Sequence, residues 1–183
     1  MLSSSNKRQG AQTAEGNDMI ILITGLPGSG KTITGTILRE LLCEDGRKAT
    51  LLDGDTIREI TGKRFGFTGN DRRARVIELA KMAAQIEGYV ICALIAPTDA
   101  LRTEFRKVSE TAGEFIEVYL STPLDVCEKR KPKLFARARE GKLGDYAGIT
   151  SPYEVPSNPD IEVDTANKTP QEVALLVLKH LPI

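Results

Sequence analysis

A glycine-rich segment near the amino terminus carries the residue types that bind nucleotide phosphates. Residues 25–32, GLPGSGKT, fit the pattern G-x-x-x-x-G-K-[ST]. In such a loop the glycines let the backbone curl around phosphate oxygens, and the lysine supplies a mobile positive charge. The hydroxyl of Thr32 can coordinate Mg²⁺. We therefore expect a nucleotide to contact every residue of this segment: Gly25, Leu26, Pro27, Gly28, Ser29, Gly30, Lys31 and Thr32.

Carboxylates that could hold the metal ion follow the next apolar run of the chain. Asp53 and Asp55 flank Gly54, whereas the later apolar segment VICALIAP ends without an acid. Mg²⁺ at a phosphate site is usually bound by a protein carboxylate. An Asp-Gly-Asp sequence is also a common turn, but its place at a strand end favours a functional role. Asp55 is the candidate both for ordering Mg²⁺ and for accepting a proton from an attacking hydroxyl.

Cations and aromatic residues follow these aspartates and indicate a second, anionic ligand. Arg58, the segment FGF at residues 65–67 and the segment DRRAR at residues 71–75 come in this order. Arginine can bind an anion in a bidentate manner, and an aromatic ring can stack on a base. Each of these residues alone is more typical of a surface charge or a core aromatic. Together they resemble a site for an anionic nucleotide.

Apolar runs alternate with amphipathic segments, which predicts a parallel sheet with helices on both faces. Strands are predicted at residues 19–24, 49–52, 89–95, 115–120 and 161–163. Helices are predicted at residues 31–43, 71–87, 98–109 and 123–130, and after a capping box at residues 169–172. Ligands bind such sheets at the carboxyl ends of the strands. Residues 24–25, 53–55 and 96–97 should therefore line one crevice.

The remaining segments are predicted to be irregular. Residues 57–70 indicate a loop with short helical pieces, and Gly88 is interpreted as the stop of the preceding helix. Residues 131–159 mix basic residues, glycine and proline, and predict a lid. Residues 1–18 are polar without an apolar core, which predicts a flexible tail or an artificial extension rather than a signal peptide. One domain at residues 19–183 remains.

Composition narrows the class of protein. The 183 residues include 25 Lys plus Arg and 25 Asp plus Glu, so the net charge is zero. This balance argues against a whole-surface affinity for nucleic acid or for an anionic membrane, and no run approaches a membrane-spanning length. The three cysteines are scattered, which suits a reducing cytoplasm. The single histidine, His180, is expected on the surface at a helix end.

Other motifs favour phosphoryl transfer to a small acceptor over a molecular switch. A guanine-binding Asn-Lys-x-Asp motif is absent, because residues 167–170 read NKTP. An ATPase motor or transporter would normally be a larger protein. A small chain with a second basic, glycine-rich region is more typical of a kinase with a small substrate.

Several segments resemble those of adenylylsulfate kinases, both in sequence and in order. They are LLDGDTIRE, FGFTGNDRR, CALIAP, YLSTPLDVCEKR, KPKLFARAREG and YAGITSPYEVPSNPDIEVDT. The resemblance implies the α/β fold of P-loop NTPases, a three-layer α/β/α sandwich with a five-stranded, mainly parallel sheet and a lid. The family transfers the γ-phosphoryl of MgATP to the 3′-hydroxyl of adenosine 5′-phosphosulfate (APS), which gives PAPS. The resemblance also implies a homodimer and a functional link to ATP sulfurylase.

The resemblance assigns roles to individual residues. ATP would contact residues 25–32, Arg130 and Arg137, with Arg139 as a further lid cation, while Lys31 and Asp55 would be catalytic. Thr32 and Asp55 would serve Mg²⁺. The acceptor would contact the following residues: Asp55, Arg58, Phe67, Arg72, Arg75, Ile95, Lys133 and Tyr146.

The chain departs from the family mainly on the acceptor and lid side. Arg75 stands where the family has Asn, Ala96 replaces a serine, Lys131 replaces an aspartate, and Tyr146 stands where Phe is usual. The phosphate loop is intact. Three hypotheses follow: a divergent APS kinase, a kinase of a related small anionic nucleotide or metabolite, or a non-catalytic nucleotide-binding homologue.

Overall fold

Five parallel strands form the central sheet of the computed structural model, which describes residues 17–54 and 69–183. The strands are β1 (Asn17–Thr24), β2 (Ala49–Asp53), β3 (Gly88–Ala93), β4 (Glu114–Leu120) and β5 (Ile161–Val163). Their order is β2-β3-β1-β4-β5, and all the pairings between these strands are parallel. The predicted five-stranded sheet is confirmed. The carboxyl end of β1 lies between those of β3 and β4, where the phosphate-binding segment begins.

Six helices lie within the described ranges. They are α1 (Lys31–Glu44), α2 (Gly69–Ala83), α3 (Asp99–Ser109), α4 (Leu124–Arg130), α5 (Pro132–Arg139) and α6 (Pro170–His180). The capping box of α6 is confirmed, because the Thr169 side chain accepts from the Glu172 backbone N–H and Glu172 accepts from the Thr169 N–H. The backbone therefore enters α6 at the predicted residue.

The helices cover both faces of the sheet. Side chains of β1 alternate between them: Ile20 and Leu22 pack with α2 and α3, whereas Ile21 and Ile23 pack with α1 and α6. All four side chains are fully buried, as expected for the central strand of a parallel sheet. The arrangement confirms the predicted three-layer α/β/α sandwich.

The prediction for the helix at residues 71–87 is wrong at its carboxyl end. Helix α2 ends at Ala83, and the N–H of Gln85 bonds three residues back rather than four, which tightens the chain into a turn. Gly88 does not stop the helix but opens β3, with φ of 85°. A Cβ atom at Gly88 would lie 2.5 Å from the Lys48 carbonyl oxygen, so the close approach to the chain before β2 requires glycine.

The predicted lid at residues 131–159 contains helix α5 and a compact turn. The Gly148 N–H donates to the Ser151 carbonyl at 2.8 Å, and Gly148 has φ of 86°. A Cβ atom at Gly148 would lie 2.7 Å from a methyl group of Leu26, so this turn packs directly on the phosphate-binding segment.

Two predicted segments fall partly or wholly outside the described ranges. Of the predicted tail, residues 1–16 lie outside them, and β1 already begins at Asn17. Of the predicted loop at residues 57–70, only Gly69 and Asn70 are described, and both belong to α2. Among the described residues, no helix is long and apolar enough to cross a membrane.

Candidate active site

The segment between β1 and α1 forms a tight loop that only glycine permits at several positions. Gly25, Gly28 and Gly30 have φ of 150°, 88° and 102°. A Cβ atom at Gly25 would lie 2.8 Å from the Leu120 carbonyl, and one at Gly28 would lie 2.8 Å from the Cys127 carbonyl. The loop is therefore pressed against the end of β4 and against α4. It opens directly into α1, whose first backbone N–H groups have no partner within the helix.

Lys31 places its ammonium group inside this loop. Its Nζ donates to the carbonyl oxygens of Gly25 at 2.9 Å and Leu26 at 2.8 Å. Burial lowers the pKa of Lys31 to about 8, although the neighbouring Cys127 acts in the opposite direction. The loop thus holds a buried cation whose charged form a nearby phosphate oxygen would stabilise strongly.

The loop fits a magnesium-bound polyphosphate. Its glycine-dependent curl leaves space for close approach, the α1 amino terminus favours negative charge, and the Thr32 side chain is exposed at the first turn of α1. Within residues 17–54 and 69–183, no cluster of three or more His, Cys, Asp or Glu residues forms a separate metal site. Mg²⁺ would therefore rely on the Thr32 hydroxyl, on nucleotide oxygens and on a carboxylate near the end of β2, where Asp53 lies.

The carbonyl oxygen of Ser29 is a point at which three parts of the chain meet. The hydroxyls of Thr122 and Thr165, which follow β4 and β5, lie 3.3 Å and 3.2 Å from it and are hydrogen-bonded to each other at 2.7 Å. Arg130 from α4 donates to the Thr165 hydroxyl at 2.8 Å and to the Thr165 carbonyl at 2.7 Å. The loop, the sheet edge and α4 are thereby fixed relative to one another.

A cavity of about 190 Å³ lies beside this junction. Its walls combine apolar side chains, the Arg130 guanidinium and the start of α6; the lining includes Ser29, Gly30, Ile33, Arg130, Thr165, Pro170 and Val173. A planar guanidinium facing apolar side chains suits a flat aromatic ring. The position next to the phosphate loop makes this cavity the candidate for the base of ATP.

A second cavity, of about 270 Å³, lies at the carboxyl ends of β2 and β3. It brings together five residues that the sequence nominated, Lys31, Arg72, Arg75, Ile95 and Tyr146. Gly54, Ala96 and Pro97 also line it. Of the residues predicted to line one crevice, Gly54, Ala96 and Pro97 line this cavity, Thr24, Gly25 and Asp53 do not, and Asp55 lies outside the described residues. We call this cavity the acceptor cavity.

Arg72 connects helix α2 to the turn at residues 145–151, which we call the lid turn because it falls within the predicted lid. Its guanidinium donates to the Asp145 backbone carbonyl and, at 3.3 Å, to the Ser151 hydroxyl. The Asp145 carboxylate is 3.9 Å away. Only 18% of the Arg72 side chain is exposed, so its charge is held at the wall of the acceptor cavity.

Tyr146 also lines the acceptor cavity. Its ring packs edge-on against Phe135, with centroids 5.3 Å apart. Burial raises the pKa of the Tyr146 hydroxyl, and this hydroxyl has no hydrogen-bond partner among the described residues. The ring, rather than the hydroxyl, is therefore the part of Tyr146 that the surrounding residues hold in place.

Other nominated residues lie elsewhere. Lys133 and Arg137 are exposed on α5 and line neither cavity. Arg139 pairs with Glu128 at 2.7 Å. Asp55, Arg58 and Phe67 lie outside the described residues.

Sequence reasoning missed the two threonines that anchor the phosphate loop, Thr122 and Thr165. Both follow the carboxyl end of a strand, and Thr24 and Asp53 are the last residues of β1 and β2. That shared position was the available signal, since ligands of parallel sheets bind at this edge.

Comparison with known proteins places the chain in a family. The family described as Adenylylsulphate kinase matches residues 17–164. The adenylyl-sulfate kinase of Halothermothrix orenii is 38% identical over 169 residues, which cover 88% of this chain and 88% of that protein. The bifunctional enzyme NodQ of Rhizobium tropici is 39% identical over 168 residues, which are 88% of this chain but only 26% of NodQ.

A solved structure gives the same result. The Mycobacterium tuberculosis APS kinase CysC, solved in complex with AMPPNP and APS, superposes with a TM-score of 0.86 at 34% sequence identity. The match covers 92% of this chain and 99% of that one. The chain belongs to the adenylylsulfate kinase family.

Proposed function

We propose that this protein transfers the γ-phosphoryl group of MgATP to the 3′-hydroxyl of APS, giving PAPS and ADP. The observation that carries the proposal is that Lys31 of the phosphate loop lines the same cavity as Arg72 and Arg75. A donor-side cation and two acceptor-side cations therefore face one space. Membership in the adenylylsulfate kinase family supports this acceptor.

On the donor side, the loop and Lys31 would bind and orient the phosphates of ATP. The base would occupy the cavity beside Arg130, and Arg137 of the lid would add positive charge when the lid covers the nucleotide. Mg²⁺, bound through Thr32 and Asp55, would neutralise charge on the transferred group. Binding energy is thus spent on orientation and charge neutralisation.

On the acceptor side, Arg72 would bind the phosphosulfate together with Arg58, and Lys133 would approach from the lid. The APS adenine would lie between Phe67 and Tyr146, against the turn at Ile95. Asp55 would accept the proton of the 3′-hydroxyl as its oxygen forms a bond to the γ-phosphorus. The bond from that phosphorus to the β,γ-bridging oxygen then breaks, and ADP leaves.

The same geometry supports direct transfer without a phosphorylated protein. Ala96 has no hydroxyl at the position where the family has serine. Phosphoryl transfer between two bound substrates needs positioning and charge stabilisation, not a covalent intermediate. We infer that Ala96 contributes shape to the acceptor cavity and no chemistry.

A second candidate is a kinase of another small anionic nucleotide, because Arg75 adds a cation to the acceptor cavity. The test is turnover of MgATP with separate acceptors: APS, AMP, ADP and adenosine 3′,5′-bisphosphate. We expect APS to be the preferred acceptor, and preference for another acceptor would favour the second candidate. Failure of every acceptor, with MgATP binding retained, would indicate a non-catalytic homologue.

Asp55→Ala is the matched control in that assay. It should abolish phosphoryl transfer while MgATP binding remains measurable, because the phosphate loop is untouched. Near-normal turnover in this variant would contradict the role of Asp55 as the acceptor of the proton.

We further propose that residues 19–183 form one kinase domain with a lid at residues 131–159, that the protein is a cytoplasmic homodimer, and that it consumes APS made by an ATP sulfurylase. These proposals rest on the family resemblance and on the absence of a cysteine framework. Sedimentation of the purified protein tests the dimer, and coupled turnover with an ATP sulfurylase tests the link.

A further inference from the structure

The turn after β3 forms one wall of the acceptor cavity and is fixed by three separate hydrogen bonds. The Thr24 hydroxyl donates to the Ile95 carbonyl at 2.6 Å. The Arg102 guanidinium donates to the Ala96 carbonyl at 2.9 Å, and the Glu154 N–H donates to the Pro97 carbonyl at 2.8 Å. Three successive carbonyl groups are therefore held by β1, by α3 and by the segment after the lid turn.

The middle residue of this turn has an unfavourable backbone conformation. Ala96 has φ of 39°, and among the described residues it is the one non-glycine residue with positive φ. An L-residue adopts this region at an energetic cost, so surrounding contacts must enforce it. Of the three hydrogen bonds that fix the turn, the one from the Arg102 side chain is made with the carbonyl of Ala96 itself.

Arg102 is buried, and its charge is balanced on several sides. Only 3% of its side chain is exposed. It donates to the Asp99 carboxylate, and its Nε lies 3.2 Å from Glu117 Oε1. Because that Glu117 oxygen receives no aligned hydrogen bond from a described residue, the contact is an ion pair. Such a group is held rigidly, since each partner removes one direction of movement.

The Tyr153 ring links this buried cluster to the phosphate-loop side of the sheet. The Arg102 guanidinium lies 5.9 Å from the centre of the ring, and the Tyr153 hydroxyl is 3.1 Å from the Thr24 hydroxyl. Thr24 is the last residue of β1, directly before the phosphate loop. The turn and the loop therefore share one connected set of contacts.

We propose that Arg102 is a positioning residue for the reaction: it holds Ala96 in its strained conformation and so fixes the wall of the acceptor cavity. The inference rests on the proposed function for its effect on APS, but the positioning itself does not. Arg102 lies outside the lining of the acceptor cavity and acts through the Ala96 carbonyl.

The first test measures the turn directly by hydrogen–deuterium exchange, without any substrate. In Arg102→Gln we expect the amides of Asp99 and Glu154, which are bonded across the turn, to exchange at least about tenfold faster. Amides of α1 should be unchanged. Arg106→Gln is the matched control, because Arg106 contacts the same Glu117 at 3.9 Å but does not reach the turn. Equal acceleration in both variants, or none in Arg102→Gln, would overturn the proposal.

The second test separates positioning from general stability by kinetics. Arg102→Gln should raise the KM for APS about tenfold and change the KM for ATP less than about twofold, since the charged hydrogen bond that reaches the cavity wall at the Ala96 carbonyl is lost. Arg102→Lys keeps the charge and folds more readily than Arg102→Gln. Its KM for APS should lie between those of Arg102→Gln and the unchanged protein. Parallel rises in both KM values would indicate a merely structural role.

A rescue experiment links Arg102 to Ala96. Glycine adopts positive φ without the steric penalty. Adding Ala96→Gly to the Arg102→Gln variant should therefore lower its raised KM for APS at least about threefold. Because Ala96 itself lines the acceptor cavity, the decisive quantity is the difference between backgrounds: any change in the APS KM that Ala96→Gly makes in the otherwise unchanged protein should be smaller than this recovery. Equal effects of Ala96→Gly in both backgrounds would contradict the proposal. If the unchanged protein made no PAPS, the proposed function would fail, while the exchange experiment would still decide the role of Arg102.

Discussion

Arg130 and Thr165 are joined by two hydrogen bonds, one to the hydroxyl and one to the carbonyl of the threonine, at 2.8 Å and 2.7 Å. The same threonine hydroxyl donates to the Ser29 carbonyl of the phosphate loop. The pair therefore transmits the position of α4 to the loop and forms one wall of the cavity proposed for the base of ATP. A substitution at either residue should therefore weaken the binding of ATP more than the binding of the acceptor.

Arg130→Ala should raise the KM for ATP by about tenfold to a hundredfold, as expected for the loss of hydrogen bonds from a charged donor. The KM for APS should change little. Steady-state kinetics with each substrate varied in turn measures both constants. Lys129→Ala is the control, since Lys129 is exposed on the same helix and pairs with Asp125. A larger effect on APS than on ATP would contradict the assignment of the cavity.

Arg72→Ala should have the opposite pattern. We expect the KM for APS to rise by about tenfold to a hundredfold, because a charged bidentate donor is lost from the acceptor cavity, with the KM for ATP nearly unchanged. The neighbouring Arg73 provides the control, because its side chain is exposed and pairs with Glu104 of α3. If Arg72→Ala altered only the KM for ATP, the division of the two sites would be wrong.

Arg75→Asn introduces the residue that the family resemblance implies at this position. Removing one cation from the cavity wall should raise the KM for APS about three- to tenfold and make it less sensitive to salt, because screening acts on the charge that is lost. Kinetics at two ionic strengths measure this. An unchanged KM and salt dependence would show that Arg75 does not contact the acceptor.

MgATP binding should weaken as the pH rises through about 8. Burial lowers the pKa of Lys31 to about 8 in the free protein, so the ammonium that attracts phosphate is present below this pH and is lost above it. A bound phosphate would stabilise the charged form, so binding above pH 8 takes up a proton and the Kd should rise about tenfold per pH unit.

Calorimetric titration of AMPPNP between pH 7 and 9.5 tests this dependence. In Lys31→Arg the charge does not titrate in this range, so whatever binding remains should be independent of pH. A flat profile in the unchanged protein would contradict the shifted pKa of Lys31.

Local sequence patterns predicted the sheet, the phosphate loop and the start of α6, since each depends on neighbouring residues. The loop glycines and the capping box at Thr169 and Glu172 are examples, and both appear at the predicted positions. The end of α2 was missed because Gly88 is required by a contact with Lys48, forty residues earlier in the chain.

The candidate site was predictable only in part, for the same reason. Arg72 was nominated through the basic segment DRRAR and Tyr146 through resemblance, and both line the acceptor cavity. The junction at Ser29 was not predicted because it forms where segments after β4 and β5 meet the loop. The conformation of Ala96 has no local signal, because alanine does not favour positive φ and a distant arginine contacts its carbonyl.

Phosphoryl transfer to APS is tested most directly by incubating the purified protein with MgATP and a low concentration of APS, isolating the nucleotide product, and locating the new phosphate by NMR and mass spectrometry. We predict Mg²⁺-dependent formation of PAPS, with the phosphate on the 3′-oxygen and one ADP released for each PAPS. No phosphorylated APS, or phosphate at another position, with MgATP binding intact, would contradict this prediction.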